Sequence, residues 1–136
     1  MIELSTVPQV ALDCLNKDHA EVADIINQLD SLLQASQTDT NAISAQMNKL
    51  IEHLENHFAC EQHQMEKYQF PPLPIHRGEH QRVLNEINQV NEHWLAENNT
   101  QTLLNYFQAT FCPWLIEHIS TLDTQTALYI VNAGGR

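Results

Sequence analysis

HFACEQHQMEKYQFPPLPIHRGEH, residues 57–80, is the stretch that decides the fold. It closes one helical pattern and opens another. Leading into it, Ile43, Met47, Leu50, Leu54, His57 and Glu61 recur at alternating steps of four and three. That spacing lays them along one stripe of a helix. The stripe stops at Phe70-Pro71-Pro72-Leu73-Pro74. A residue ahead of proline is pushed out of the α region, so this cluster breaks the helix. Pro74 suits the first turn of the next one, where a missing N–H costs nothing. The stripe then resumes as His76, His80, Val83, Ile87, Val90 and Trp94.

The same spacing extends in both directions. Leu12, Leu15, His19, Val22, Ile26, Leu29 and Leu33 form a first seam that fades in the polar turn Ser36–Asn41. After a turn at Glu97-Asn98-Asn99-Thr100, a fourth seam reads Leu104, Phe107, Phe111, Trp114, His118 and Leu122. Only three glycines occur, two of them at 134–135, and there is no Asn-Gly or Asp-Gly hairpin signal. The pattern predicts an all-α chain, an antiparallel up-down-up-down four-helix bundle over about 12–123. A short N-terminal arm (1–11) precedes it. A C-terminal tail (124–136) follows, with one apolar cluster at Leu128–Val131 and a frayed end. The whole chain, 1–136, reads as a single domain. Pro113 falls inside the fourth segment, where it removes the bond to the Ala109 carbonyl at a cost of roughly 3 kcal/mol. A kink, or a restart of the helix just before Trp114, is expected there.

Composition narrows the function classes. Six Lys and Arg against 17 Asp and Glu give a formal net charge of −11. Nucleic acid and anionic membrane surfaces repel such a chain, and its basic residues are scattered rather than clustered. No apolar run reaches the roughly 18–20 residues needed to cross a bilayer. The N-terminus has neither a basic region nor a long apolar stretch, so no signal peptide is read and a cytoplasmic location is expected. Cys14, Cys60 and Cys112 are odd in number and widely spaced. They read as small buried or half-buried thiols in a reducing compartment, not as a disulfide framework.

The seams contain residues that do not belong in a core. His19, His57, Glu61, His76, His80 and His118 interrupt apolar stripes, and a buried carboxylate or unpartnered imidazole is costly. His57 and Glu61, like His76 and His80, are four apart and share one helix face. In antiparallel packing the start of one helix meets the end of the next, so all of these and Asp123 fall in one slab of the bundle. Asp123, five residues beyond His118, is about 140° round a regular helix from it. It joins the others only if the helix distorts or ends between them. Five imidazoles and two carboxylates exceed what one ion takes and suit two. A nitrogen and oxygen donor set without thiolate suits iron or manganese in a bundle core. His53, His63 and His93 lie off the seams and read as solvated surface residues.

The stretch His57-Phe58-x2-Glu61-x3-Met65-x2-Tyr68-x2-Pro71-x4-His76-x3-His80 resembles the central signature of the hemerythrin family, and specifically its bacterial single-domain members. Trp114-Leu115-x2-His118-Ile119-x3-Asp123 resembles its C-terminal signature, and Asp18-His19 its N-terminal ligand region. The resemblance covers about residues 12–130. It implies two iron ions bridged by carboxylates and by an oxo or hydroxo group. His76, His80 and His118 would ligate one ion, His19 and His57 the other, with Glu61 and Asp123 bridging both. It leaves one position open, on the His19/His57 ion, where O2 would bind. Phe58, Trp114, Leu115 and Ile119 resemble the family's apolar O2 pocket, in which dryness protects the bound gas.

The resemblance therefore implies a non-haem di-iron protein, not an enzyme, that binds O2 reversibly and stores it or delivers it to an O2-using enzyme. An O2 or redox sensor acting through a signalling partner is a second reading. A di-iron enzyme acting on peroxide or nitric oxide is a third.

Overall fold

The computed structural model describes residues 7–135. The part of the expected arm formed by residues 1–6, and Arg136 at the end of the tail, lie outside the described residues. Three uninterrupted helices come first: α1 (Asp13–Gln34), α2 (Thr40–Lys67) and α3 (Leu73–Glu97). A fourth rod, 100–132, consists of three α-helical pieces, Thr100–Tyr106, Cys112–His118 and Thr124–Asn132. Two π-helical turns, Phe107–Phe111 and Ile119–Asp123, join them. The four rods make the expected all-α bundle, and the described residues contain no strand.

Local chemistry places the ends. Asp39 caps α2 by accepting from the Ala42 N–H at 3.0 Å. Asn99 caps the fourth rod by accepting from the Thr102 N–H at 3.0 Å. Each satisfies one of the donors a helix start leaves over. Pro74 lies in the first turn of α3, as its missing N–H permits. Asn98 ends α3 with φ of 51°, a left-handed conformation that asparagine tolerates.

The seams of α1 and α2 are buried as the spacing predicts, as is that of α3 except for half-buried Val90. The fourth rod departs from its pattern. Leu103 and Leu115 turn inward in place of Leu104 and Trp114, which are half-buried, and Asp123 turns inward in place of Leu122. For Leu115 and Asp123 the π-turns are the physical cause, since each inserts a residue into the helical repeat and shifts the register beyond it. Leu103 lies before the first of them, in the regular piece Thr100–Tyr106.

The first π-turn also answers the Pro113 question. The Cys112 N–H bonds to the Phe107 carbonyl, five residues back, and the α-helical piece restarts at Cys112 with Pro113 in its first turn. The missing proline N–H is thereby absorbed at a restart.

The tail is mostly bundle. Its helix continues to Asn132, and Ala127 and Ile130 pack with Leu12 and Leu15 in a small apolar cluster. Only Ile130 of the 128–131 group is buried; Leu128 and Val131 are exposed and Tyr129 is half-buried. The described end of the arm is also docked, since Val7 is buried and Asn16 exchanges two hydrogen bonds with the backbone of Val10. The larger cluster, which includes Val22, Ile26, Leu54, Phe58, Phe107, Leu115 and Ile119, fills the other end. Along α1, His19 sits between Leu15 of one cluster and Val22 of the other. Along the fourth rod, Asp123 sits between Ile119 and Ala127. A polar slab thus separates two apolar cores.

Two expectations about surface groups are corrected. Cys14 and Cys60 are exposed, and only Cys112 is buried. His63 and His93 are exposed, but His53 is half-buried, with Nε2 3.3 Å from the Asp18 carbonyl oxygen.

Candidate metal centre

The slab contains His19, His57, Glu61, His76, His80, His118 and Asp123, each no more than 5 % exposed. α1 supplies His19, α2 supplies His57 and Glu61, α3 supplies His76 and His80, and the fourth rod supplies His118 and Asp123. Asp123 reaches the slab because the second π-turn ends on it. There the Thr124 N–H bonds to the Ile119 carbonyl, five residues back. Such a turn brings residues five apart towards one face. The distortion that the His118–Asp123 spacing requires is therefore present.

The donors sort into two groups. Donor atoms of His76, His80, His118 and Asp123 lie within 4.8 Å of one another, and so do those of His19, His57 and Asp123. Asp123 is common to both. Its Oδ1 lies 3.0 Å from Nε2 of both His76 and His118, while Oδ2 lies 3.0 Å from His19 Nε2. Glu61 spans the groups in the same way. Its Oε1 is 2.8 Å from His76 Nε2, and Oε2 is 3.3 Å from His57 Nε2.

The bonding left undone is informative. Neither Glu61 oxygen has a hydrogen-bond partner despite those short separations, because the directions of approach are wrong. Nε2 of His57 and of His80 also lack partners. Each such buried atom costs roughly 1–3 kcal/mol. His76 Nε2 faces His118 Nε2 at 3.2 Å, and two neutral imidazoles can share only one proton between them. Cations among these lone pairs would satisfy all of them. Nitrogen and oxygen donors without thiolate fit iron or manganese. The residues present therefore fit a metal centre.

Several outward-facing nitrogens are held. His57 Nδ1 donates to Asp18 Oδ2 at 2.7 Å, and His76 Nδ1 hydrogen-bonds to the Thr126 hydroxyl at 2.8 Å. His80 Nδ1 lies 3.5 Å from the Gln62 amide nitrogen. These contacts orient the rings and keep Nε2 pointing inward. Their partners escaped sequence reading. Asp18 was visible as a neighbour of His19, but Thr126 comes to face His76 only through the second π-turn.

Aromatic rings cover the outer histidines. Phe58 stacks on His80 with centroids 3.9 Å apart, and Trp114 stacks on His118 at 4.6 Å. Leu115 and Ile119 are buried, whereas Trp114 is half-buried and so forms a wall of the centre.

Electrostatics follow the same division. Burial opposes protonation of His57, but the Asp18 hydrogen bond and the nearby Glu61 carboxylate outweigh it and lift its pKa to about 10. His76 is lifted to about 9, with Asp123 and Glu61 overcoming burial. Burial, reinforced by His76 and His118, drives His80 down to about 2. Asp123 is held well below the usual carboxylate range, since hydrogen bonds from His118, His19 and His76 exceed the effect of burial.

For metal-free protein the signs oppose. Raised His57 and His76 give stability that is full below about 6.5 and is lost as pH climbs through 9 to 10. Depressed His80 gives stability present above about 6.5 and lost as pH falls. Chelated protein is therefore expected to melt highest near about pH 6.5, with the midpoint falling towards pH 5 on one side and towards pH 10.5 on the other. Melting curves at three pH values check this; a midpoint still rising at pH 10.5 contradicts it.

Residues 10–125 match the family model described as Hemerythrin HHE cation binding domain. The chain belongs to the hemerythrin family. Its relatives include a protein named bacteriohemerythrin from Aquifex aeolicus (strain VF5), 28% identical over 128 residues. That match covers 93% of this chain and 95% of the relative. A second bacteriohemerythrin, from Ralstonia nicotianae (strain ATCC BAA-1114 / GMI1000), is 27% identical over 117 residues, 86% of this chain and 80% of the relative. No solved structure matches with significance. The match by which this hemerythrin-family chain is assigned reaches all four rods, ending at residue 125 within the fourth, and includes every residue of the slab. Among the described residues no helix is long and apolar enough to cross a membrane.

Proposed function

We propose that the slab is a di-iron centre and that the protein binds O2 reversibly, for storage or for delivery to an O2-using enzyme. His76, His80 and His118 would hold one ion and His19 and His57 the other, with Glu61 and Asp123 joined to both. One observation carries the reading: each carboxylate has one oxygen towards the three-histidine group and the other towards His19 or His57. Two ferrous ions held in this way would supply electrons to O2 and recover them on its release.

The chain's own residues do the rest. The His19/His57 pair offers one histidine fewer than the trio, so a small ligand would find room on that side. Asp18 holds the His57 proton on the outer nitrogen, leaving Nε2 free to bind metal. Thr126 does the same for His76. Phe58, Leu115 and Ile119 continue the apolar core up to the donors and keep bulk water away.

The relatives' name, bacteriohemerythrin, agrees with O2 binding without separating storage from sensing. A sensing role needs a partner surface, and an enzyme acting on peroxide or nitric oxide needs a proton donor close to the centre. Anaerobic reconstitution with ferrous iron, followed by cycles of air and argon, tests the proposal. Spectra that return over repeated cycles are expected. Immediate, permanent oxidation in air would favour a redox sensor or a peroxide-consuming enzyme.

His53, His63 and His93 contribute to neither donor group. Replacing each by Gln should leave iron per chain unchanged. Metal analysis of the three variants checks this, and loss of iron in any of them would contradict the ligand assignment. His53 is the sharpest case, because it touches the Asp18 backbone.

A further inference from the structure

A polar strut links α3 to the fourth rod beside the centre. The Trp114 indole N–H donates to Glu79 Oε1 at 2.8 Å. Arg82 grips the Glu79 carboxylate through Nε, 3.1 Å from each oxygen, and through an Nη at 2.7 Å. Its other Nη donates to Glu86 Oε2 at 3.1 Å. Glu86 Oε1 accepts from the Tyr106 hydroxyl at 3.0 Å.

The spacing explains why two contacts form. Glu79 and Glu86 are seven apart on α3, two full turns, and so share a face. Tyr106 and Trp114 are eight apart on the antiparallel rod and flank the π-turn Phe107–Phe111. In a regular helix the eighth residue would drift round the axis. The inserted residue of the π-turn brings Trp114 back to the side on which Tyr106 stands. The strut thus ties the rod down on both sides of its first irregular turn, where Pro113 also contributes no backbone bond. Beyond the upper tie, the indole stacks on His118 with the ring planes 24° apart.

We propose that Glu79 is a positioning residue for the metal centre, clamping Trp114 against His118 and so fixing where that imidazole presents its inner nitrogen. The clamp rests on the metal-centre reading given above. Ion pairs as exposed as Glu79–Arg82 add little to stability, so its effect is on geometry.

The test uses whole protein and two readouts, neither of which involves O2. The first is acrylamide quenching of tryptophan fluorescence. Trp94 is buried and bonded to Ser44, so Trp114 dominates the response. Glu79→Ala should roughly double the quenching constant as the indole comes free, whereas Glu79→Gln, which keeps an acceptor, should stay near wild type. The second is the visible spectrum of protein loaded with Co2+. Glu79→Ala should alter it while stoichiometry is retained. In a Trp114→Phe background, which already lacks the N–H, the same change should add nothing.

Unchanged quenching in Glu79→Ala overturns the clamp. So does an unaltered Co2+ spectrum, or a spectral change of equal size in the Trp114→Phe background. Should Glu79→Ala fail to fold, the clamp is judged on Trp114→Phe and Glu79→Gln, with an altered spectrum required of the first only. A wild-type chain that takes up no Co2+ would count against the metal-centre reading, and the quenching arm would still decide the clamp.

Discussion

Chelation of metal-loaded protein is expected to lower the melting midpoint by roughly 10–20 °C. Ligand that binds only the folded state adds about 4 kcal/mol when present at a thousand times its dissociation constant. For a chain of 136 residues each kcal/mol moves the midpoint by several degrees. Without metal, the slab keeps Glu61 with two unbonded oxygens and His57 and His80 with unbonded inner nitrogens. The apolar clusters on either side cannot close over these groups. The measurement is a pair of melting curves, with and without chelator, at one pH. Equal midpoints would show that the slab is satisfied without metal.

The second large effect concerns the apolar wall. Leu115→Ala and Ile119→Ser should each shorten the lifetime of the O2-loaded protein at least tenfold, with iron content unchanged. Leu115 is one turn before His118 and Ile119 follows it, and both are buried against the larger core. Smaller or polar side chains there would admit water and protons beside the donors. A tenfold loss of lifetime corresponds to about 1.4 kcal/mol of barrier. Stopped-flow mixing of ferrous protein with air gives the lifetime directly. Variants that decay like wild type would mean that this wall does not protect the gas, and would point to Phe58 and Trp114 instead.

Much of this was legible in the sequence, because the first three rods are regular. Leu15, His19, Val22 and Ile26 keep one helical spacing, and burial follows it. A histidine within such a stripe must be buried, so His19, His57, His76 and His80 could be placed from spacing alone. The fourth rod was less legible. Trp114 and Leu122 had the right spacing for a regular helix, but two π-turns moved the register and put Leu115 and Asp123 inside, while Leu103 rather than Leu104 faces inward already before the first turn. Asp123 could be read only as a condition, that the helix distorts after His118. Nothing in the spacing showed that the distortion is a π-turn.

Contacts made outside the stripes were the least visible. Thr126 on His76 and Glu79 on Trp114 both depend on those turns. The exposed thiols of Cys14 and Cys60 and the half-buried ring of His53 show the same limit. A small or amphipathic side chain away from the stripe carries little pattern, and its surroundings are set by packing.

The central claim is that Glu61 and Asp123 each serve two ions. Its most direct test is an anaerobic titration of metal-free protein with ferrous iron, followed by metal analysis of the desalted product. The arrangement predicts two tightly held irons per chain, and loss of the pair when Asp123 is replaced by Ala. One iron per chain at saturation, unaffected by that substitution, would contradict it.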